Sequence, residues 1–319
     1  VTGSLGAGSL GAGSLGAGSL GAGSLGAGSL GAVADSQTPP VAMVIAGSDS
    51  GAGAGLQADL KAMSALRVFA TTVVTAVTAQ NTFAVTAVHP VPADIVEAQI
   101  AAVLEDFAVA AVKTGMLATT ATVRLVADRA AAGELPHLVV DPVMVASSGR
   151  PLLDDDAVAA YRDLLIPHAV VVTPNLMEAA ILAGVDPARQ SGVDDMIAMA
   201  ERIHGFGPTW VLVKGGHLPG VHDGGTGAGT DSGPETVTDI LYDGTEVLVI
   251  EHERVSTHNN HGTGCSLASA TAALLARGHD MPSAVAGAVQ FVHDALVGAA
   301  GWHLGRGHGP LDPFGWASQ

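Results

Sequence analysis

From Val41 onward the chain alternates short apolar runs with amphipathic stretches, a cadence that predicts repeated strand, loop and helix units. Val41 to Ala46 is a continuous apolar run ending in glycine; a Gly/Ser loop follows, then a helix-patterned stretch from Leu56 to Leu66. The β-branched run Thr71 to Thr78 predicts a second strand, Ala93 to Glu105 a helix, Ala110 to Lys113 a short buried strand, and Thr120 to Ala132 a helix closed by Gly133. Leu138 to Val140, Val170 to Thr173 and Val211 to Val213 are further short apolar runs, each leading into a polar or glycine-bearing loop. Asp239 to Leu241 and Glu246 to Ile250, joined at Asp243-Gly244, read as a hairpin. Two helices close the pattern, Ser266 to Arg277, stopped by Gly278, and Pro282 to about Val297. Strands that are apolar throughout belong to a sheet covered on both faces, so the expected class is α/β with a mostly parallel central sheet.

The pattern also divides the chain. Residues 1–40 are a leader and linker in which Gly3 to Ala32 repeat Gly-Ser-Leu-Gly-Ala six times. So much glycine costs more entropy than its few leucines recover by burial, and disorder is expected there. Residues 41–300 form one domain, and 301–319, with their glycines and prolines, read as surface coil. Gly220 to Pro234 is a second glycine-rich insert, either a mobile flap over a ligand or a disordered connection.

Composition then narrows the functions. With 48% hydrophobic and 13% charged residues the chain can bury a large core. Its formal charge of −17, scattered along the sequence, repels phosphate backbones and anionic lipid, which argues against nucleic-acid and membrane partners. Lys61, Lys113 and Lys214 are the only lysines and each follows an apolar residue, so no G-x-x-x-x-G-K-[ST] loop exists. The single Cys265 excludes an internal disulfide and a cysteine-based zinc cluster. No basic-then-apolar leader opens the chain and no apolar run is long enough to span a bilayer; the expected setting is cytoplasmic.

In open α/β sheets ligands sit beyond the carboxyl ends of the strands, so the loops after each apolar run carry the candidate chemistry. Gly47-Ser48-Asp49-Ser50-Gly51-Ala52-Gly53-Ala54-Gly55 is a strand-to-helix turn expected to leave backbone amides bare, although such a turn is more often a tight connection than a ligand loop. Gln57 and Asp59 stand just inside the next helix, facing either solvent or a bound ring. Gln80 ends a strand; its amide can both donate and accept, which suits a heteroaromatic amine such as an aminopyrimidine or, more simply, a backbone partner. Asp141 and Glu178 are candidates to hold magnesium, which needs only one or two protein carboxylates; each could instead cap a helix. Lys214 could meet a phosphate or cap a strand end. His258 and His261 lack any companion spacing for zinc. The sharpest motif is His261-Gly262-Thr263-Gly264-Cys265 running into an Ala/Leu helix, where free N–H groups and the helix dipole favour an anion. The same field is expected to lower the pKa of Cys265 and fit it to act as a base, against the alternative of a packed core cysteine.

Taken in order, G-S-D-S-G-A-G-A-G, T-A-V-T-A-Q-N-T, V-K-T-G-M-L, D-P-V-M-V-A, T-P-N-x-x-E, V-K-G-G-H and H-G-T-G-C resemble the hydroxymethylpyrimidine/phosphomethylpyrimidine kinases of thiamine biosynthesis, over Val41 to Val297. The resemblance implies a ribokinase-like three-layer α/β/α fold, ATP with Mg2+ as donor, a pyrimidine alcohol and then its monophosphate as acceptors, and a homodimer. It implies a pyrimidine held near Gly47, Asp59, Gln80, Met116 and Val143, ATP near Asn175, Lys214, Gly262 and Gly264, and phosphoryl transfer at Gly262, Thr263, Gly264 and Cys265. Cys265 looks like the counterpart of the aspartate base of sugar kinases with this fold. The chain departs from the family at Ser256-Thr257-His258-Asn259-Asn260-His261, which lacks the family's aspartate. A pyridoxal kinase and a catalytically silent pyrimidine-binding protein are the alternative readings.

Overall fold

The computed structural model describes residues 38–144, 155–189, 192–216 and 236–318; the leader repeat, Val145, Ala146, His217 and the 220–234 insert lie outside them. The chain begins with β1 (Val41–Ser48), α1 (Gly55–Ala65) and β2 (Phe69–Gln80), followed by β3 (Val85–Pro90), α2 (Ala93–Asp106), β4 (Val109–Thr114) and α3 (Thr120–Ala131). The middle holds β5 (Val139–Val140), α4 (Asp155–Ala160), β6 (Val171–Val172), α5 (Leu176–Ala183), α6 (Val193–His204) and β7 (Trp210–Val213). It closes with β8 (Thr236–Tyr242), β9 (Val247–Glu253), α7 (Thr263–Ala276) and α8 (Met281–Ala299).

All nine of these strands form one sheet in the order β3-β2-β1-β4-β5-β6-β7-β8-β9. The centre, from β2 to β7, is parallel, while β3, β8 and β9 pair antiparallel at the edges. Alternate residues of the central strands feed two cores. Met43, Ile45, Val112, Val140 and Val172 pack on one face with α2, α3, α5 and α6, and Ala42, Val44, Ala111, Val139 and Val171 pack on the other with α1, α7 and α8. Burial on both faces is why these strands read as unbroken apolar runs. Each fully enclosed large apolar side chain contributes about 1.5–3 kcal/mol. Among the described residues no helix is long and apolar enough to cross a membrane.

β3, α5 and α6 go beyond the sequence expectation. β3 is an edge strand, exposed at four of its six positions, so it lacks an apolar signature. α5 is apolar except for Glu178 and therefore has no periodicity to read. α6 does carry one, burying Met196, Met199, Ala200 and Ile203 at helical spacing.

The tail expected as surface coil is irregular, but it is anchored, because it supplies backbone groups that two loops lack. His308 N–H donates to Thr82 O at 3.1 Å, and His261 N–H donates to Gly309 O at 3.0 Å. Gly307 N–H reaches Thr82 Oγ1 at 3.0 Å, and Arg306 lies over the Phe83 ring. Leu311 and Asp312 are buried.

Candidate active site

The loop after β1 folds around Asp49. One carboxylate oxygen accepts from Gly51 N–H at 2.7 Å, and the other from Gly53 N–H at 3.1 Å and Ala54 N–H at 2.8 Å. The Gly51, Gly53 and Ala54 amides expected to be bare are thus committed within the loop, in keeping with a tight connection. Burial works against the Asp49 charge, but donors from His261, Ala54 and Gly51 outweigh it and hold the carboxyl below its ordinary value. Gly55 must be glycine: its φ is +55° and a Cβ there would lie 2.4 Å from Gly47 O.

Beneath this loop Asp59 is fully enclosed. Lys113 Nζ reaches both of its oxygens at 2.9 Å, and Ser269 Oγ donates to Oδ1 at 2.6 Å. The resemblance places Asp59 near the pyrimidine; in this structure its side chain is fully buried and holds Lys113 and Ser269. Burial disfavours the Lys113 ammonium, yet Asp59, with Cys265 and Asp141, holds its pKa above the ordinary value. The sequence places Lys113 at the end of a short buried strand but carries no signal for its partner Asp59, 54 residues away.

At the start of α7, Gly262 has φ +85° and a Cβ on it would stand 1.9 Å from Gly53 O, so only glycine lets the two loops touch. Thr263 N–H and Oγ1 both return to Asn260 O, at 3.3 and 2.6 Å, and Ser266 N–H goes to Gly262 O at 2.9 Å. The expected anion hole narrows to the N–H groups of Gly264 and Cys265, for which the first helical turn provides no intrahelical acceptor. Lys214 Nζ stands 3.1 Å from where a Gly264 Cβ would be and 3.0 Å from Asp141 Oδ1. This ammonium stands beside the helix N-terminus but is already paired with Asp141.

The Cys265 thiol contradicts expectation. Burial pushes it up to about 11; Lys113 pulls the other way, but Asp59 and Asp141 add to the rise. The helix field is present, yet the Lys113 ammonium that favours the thiolate is itself paired with Asp59.

Asp141 also accepts from Thr173 Oγ1 at 3.3 Å. Glu178 and Asn175 form a reciprocal capping box at the start of α5, Asn175 N–H to Glu178 Oε2 and Glu178 N–H to Asn175 Oδ1, each 2.9 Å. The helix-cap reading therefore holds for Glu178 but not for Asp141, whose side chain meets Thr173 and Lys214, and the Asn175 side-chain oxygen accepts within the cap. Burial pushes Glu178 up to about 7; Lys214 opposes this and Asp141 reinforces it. Two buried carboxylates beside one ammonium leave surplus negative charge, which suits a divalent cation.

Gly47 and Met116 are neighbours, a Cβ on the glycine falling 3.2 Å from Met116 Cε, and Val143 is half-buried just past Asp141. Gln80 Nε2 lies 3.2 Å from His261 Nε2, and that same nitrogen lies 3.2 Å from Asp49 Oδ2. Asp49 and His261 were visible only as members of motifs; nothing in their spacing, 212 residues apart, links them.

Solved structures give the class. The fold is similar to pyridoxal kinase of Bacillus subtilis in an ADP complex, with TM-score 0.76 and 33% identity over 88% of this chain and all (100%) of that one. It is also similar to phosphomethylpyrimidine kinase from Clostridium difficile 630, with TM-score 0.67 and 36% identity over 81% of this chain and 100% of that one. The sheet and its covering helices are those of a ribokinase-like kinase. In sequence the chain is 46% identical over 275 residues to the hydroxymethylpyrimidine/phosphomethylpyrimidine kinase of Rhizobium meliloti (strain 1021), covering 86% of this chain and 97% of that protein. The phosphomethylpyrimidine kinase family profile matches residues 49–312, and the chain belongs to that family.

Proposed function

We propose that this protein transfers the γ-phosphoryl group of ATP to the hydroxyl of 4-amino-5-hydroxymethyl-2-methylpyrimidine, and a second phosphoryl group to the resulting monophosphate, in thiamine biosynthesis. The observation that carries the reading is the convergence of Cys265, the Gly264 and Cys265 amides, Lys214, Asp141 and Glu178 at one end of the sheet. Family membership names the substrate.

In the first step the hydroxyl oxygen attacks the γ-phosphorus, the bond to the bridging oxygen breaks to release ADP, and the hydroxyl proton passes to the Cys265 thiolate. That thiolate is scarce at neutral pH but a stronger base than an ordinary one. Lys214 and the Gly264 and Cys265 amides hold the charge spreading over the phosphoryl oxygens. Asp141 and Glu178 would hold magnesium, which when bound with ATP offsets phosphate charge. The second step needs little of Cys265, because a phosphate monoester with pKa about 6 is already ionised near neutrality.

Pyridoxal kinase is the second reading, favoured by the higher structural similarity to the Bacillus subtilis enzyme, against which stands the higher sequence identity to the pyrimidine kinase. Coupled ADP release with magnesium-ATP decides between them. Turnover of hydroxymethylpyrimidine and its monophosphate, with pyridoxal slow, is the expected result. Turnover of pyridoxal alone moves the protein to vitamin B6 chemistry, and binding without turnover makes it a silent sensor.

A further inference from the structure

Three segments distant in sequence meet at His261 Nε2. It lies 3.2 Å from Asp49 Oδ2 and 3.2 Å from the Gln80 amide nitrogen. The other end of that amide, Oε1, lies 3.3 Å from Thr78 Oγ1, which lies 2.9 Å from Ser48 O. The His261 ring is fixed in place: a Cβ on Gly53 would fall 2.4 Å from its Cδ2, and its backbone N–H is tied to Gly309 O.

These distances admit one consistent placement of hydrogens. Asp49, gripped by three backbone N–H groups, is ionised, so the ring nitrogen facing it must carry a hydrogen and donate it. A hydrogen on Nε2 cannot also face the Gln80 NH2. The oxygen and nitrogen of an amide are told apart by their partners, and here the partners turn the amide over. Its oxygen then becomes the second acceptor of that one Nε2–H, which is shared between Asp49 and Gln80 at 3.2 Å each. Its NH2 faces Thr78 Oγ1, which is free to accept because its own hydrogen goes to Ser48 O, the shorter of its two contacts.

We infer that His261, itself oriented by Asp49, is a specificity-setting positioning residue: it locks the Gln80 amide with oxygen toward His261 and NH2 toward Thr78, and so fixes the order of acceptor and donor presented to the substrate ring. This rests on the proposed function, in which Gln80 faces the pyrimidine. An aminopyrimidine carries an amine N–H beside a ring-nitrogen acceptor and pairs with a carboxamide in one register only. A pyridine ring without the amine gains nothing from the lock.

Two measurements test this. The first does not depend on turnover: with 15N-labelled histidine, His261 is assigned by difference against His261→Phe, or against His261→Gln if the phenylalanine variant does not fold. Hydrogen on Nε2 is expected, and an Nε2 without hydrogen overturns the inference. The second is a double-mutant cycle. His261→Phe keeps a ring over Gly53 and should raise KM for hydroxymethylpyrimidine about tenfold with kcat little changed, whereas His261→Gln, which can still donate to Asp49, should recover most of the loss. Adding Gln80→Leu to His261→Phe should cost nothing beyond the larger single effect; full additivity overturns the inference. A wild-type protein that does not turn over hydroxymethylpyrimidine refutes the proposed function instead, and the nitrogen measurement still decides the lock.

Discussion

Two fields oppose each other at Cys265. The N-terminus of α7 and the Lys113 ammonium favour a thiolate, while burial, Asp59 and Asp141 favour the thiol, and the thiol prevails with a pKa of about 11. Because that pKa is raised, the thiolate fraction grows about tenfold per pH unit below it. The rate of alcohol phosphorylation should therefore climb from neutral pH toward pH 10, while phosphorylation of the monophosphate, measured in the same buffers, stays nearly flat. The buried Lys113–Asp59 pair makes a second prediction at this scale. Lys113→Met leaves an unpaired buried carboxylate, which should cost about 3–5 kcal/mol of stability in denaturant titration. Asp59→Asn with Lys113→Met should recover much of that loss, since removing both charges leaves neither unpaired.

At the scale of elements, the site depends on two loops that approach at van der Waals limits. Gly262 sits under Gly53 O with φ +85°, so Gly262→Ala combines a steric collision with a strained backbone. We expect a loss of at least about 2 kcal/mol by thermal melting, together with near-complete loss of ADP release, because the start of α7 must retreat from the loop after β1. Gly264→Ala is gentler. Its Cβ would press only on the Lys214 ammonium at 3.1 Å, so the fold should survive while KM for ATP rises. The helix that presents Cys265 was legible from its Ala/Leu run and its glycines. The commitment of the Thr263 amide to Asn260 was not, because hydrogen-bond bookkeeping within a turn leaves no mark on composition.

Over the whole molecule, the sheet was legible wherever burial on both faces left unbroken apolar runs, as at β1, β4 and β7. It was illegible at β3, whose edge position removes that signal. The strand-end location of the site followed from fold class. The contacts that define it, Asp59 with Lys113 and Asp49 with His261, span 54 and 212 residues and depend on topology that no local pattern encodes. The tail illustrates the same limit: its glycines and prolines carry no sign that residues 305–310 stitch the Thr82 and His261 loops together. Deleting residues 305–319 should lower the melting temperature and raise KM for the pyrimidine more than KM for ATP, since the loops released carry Gln80 and His261.

The central claim is that Cys265 serves the alcohol step and is nearly dispensable for the phosphate step. The most direct measurement compares single-turnover rates of the two phosphorylations in wild type and Cys265→Ala. We predict a drop of about 100-fold or more for hydroxymethylpyrimidine, the scale of a lost general base, and less than about tenfold for its monophosphate. Equal losses in both steps would contradict the account, leaving Cys265 as a packing residue at the mouth of an anion site.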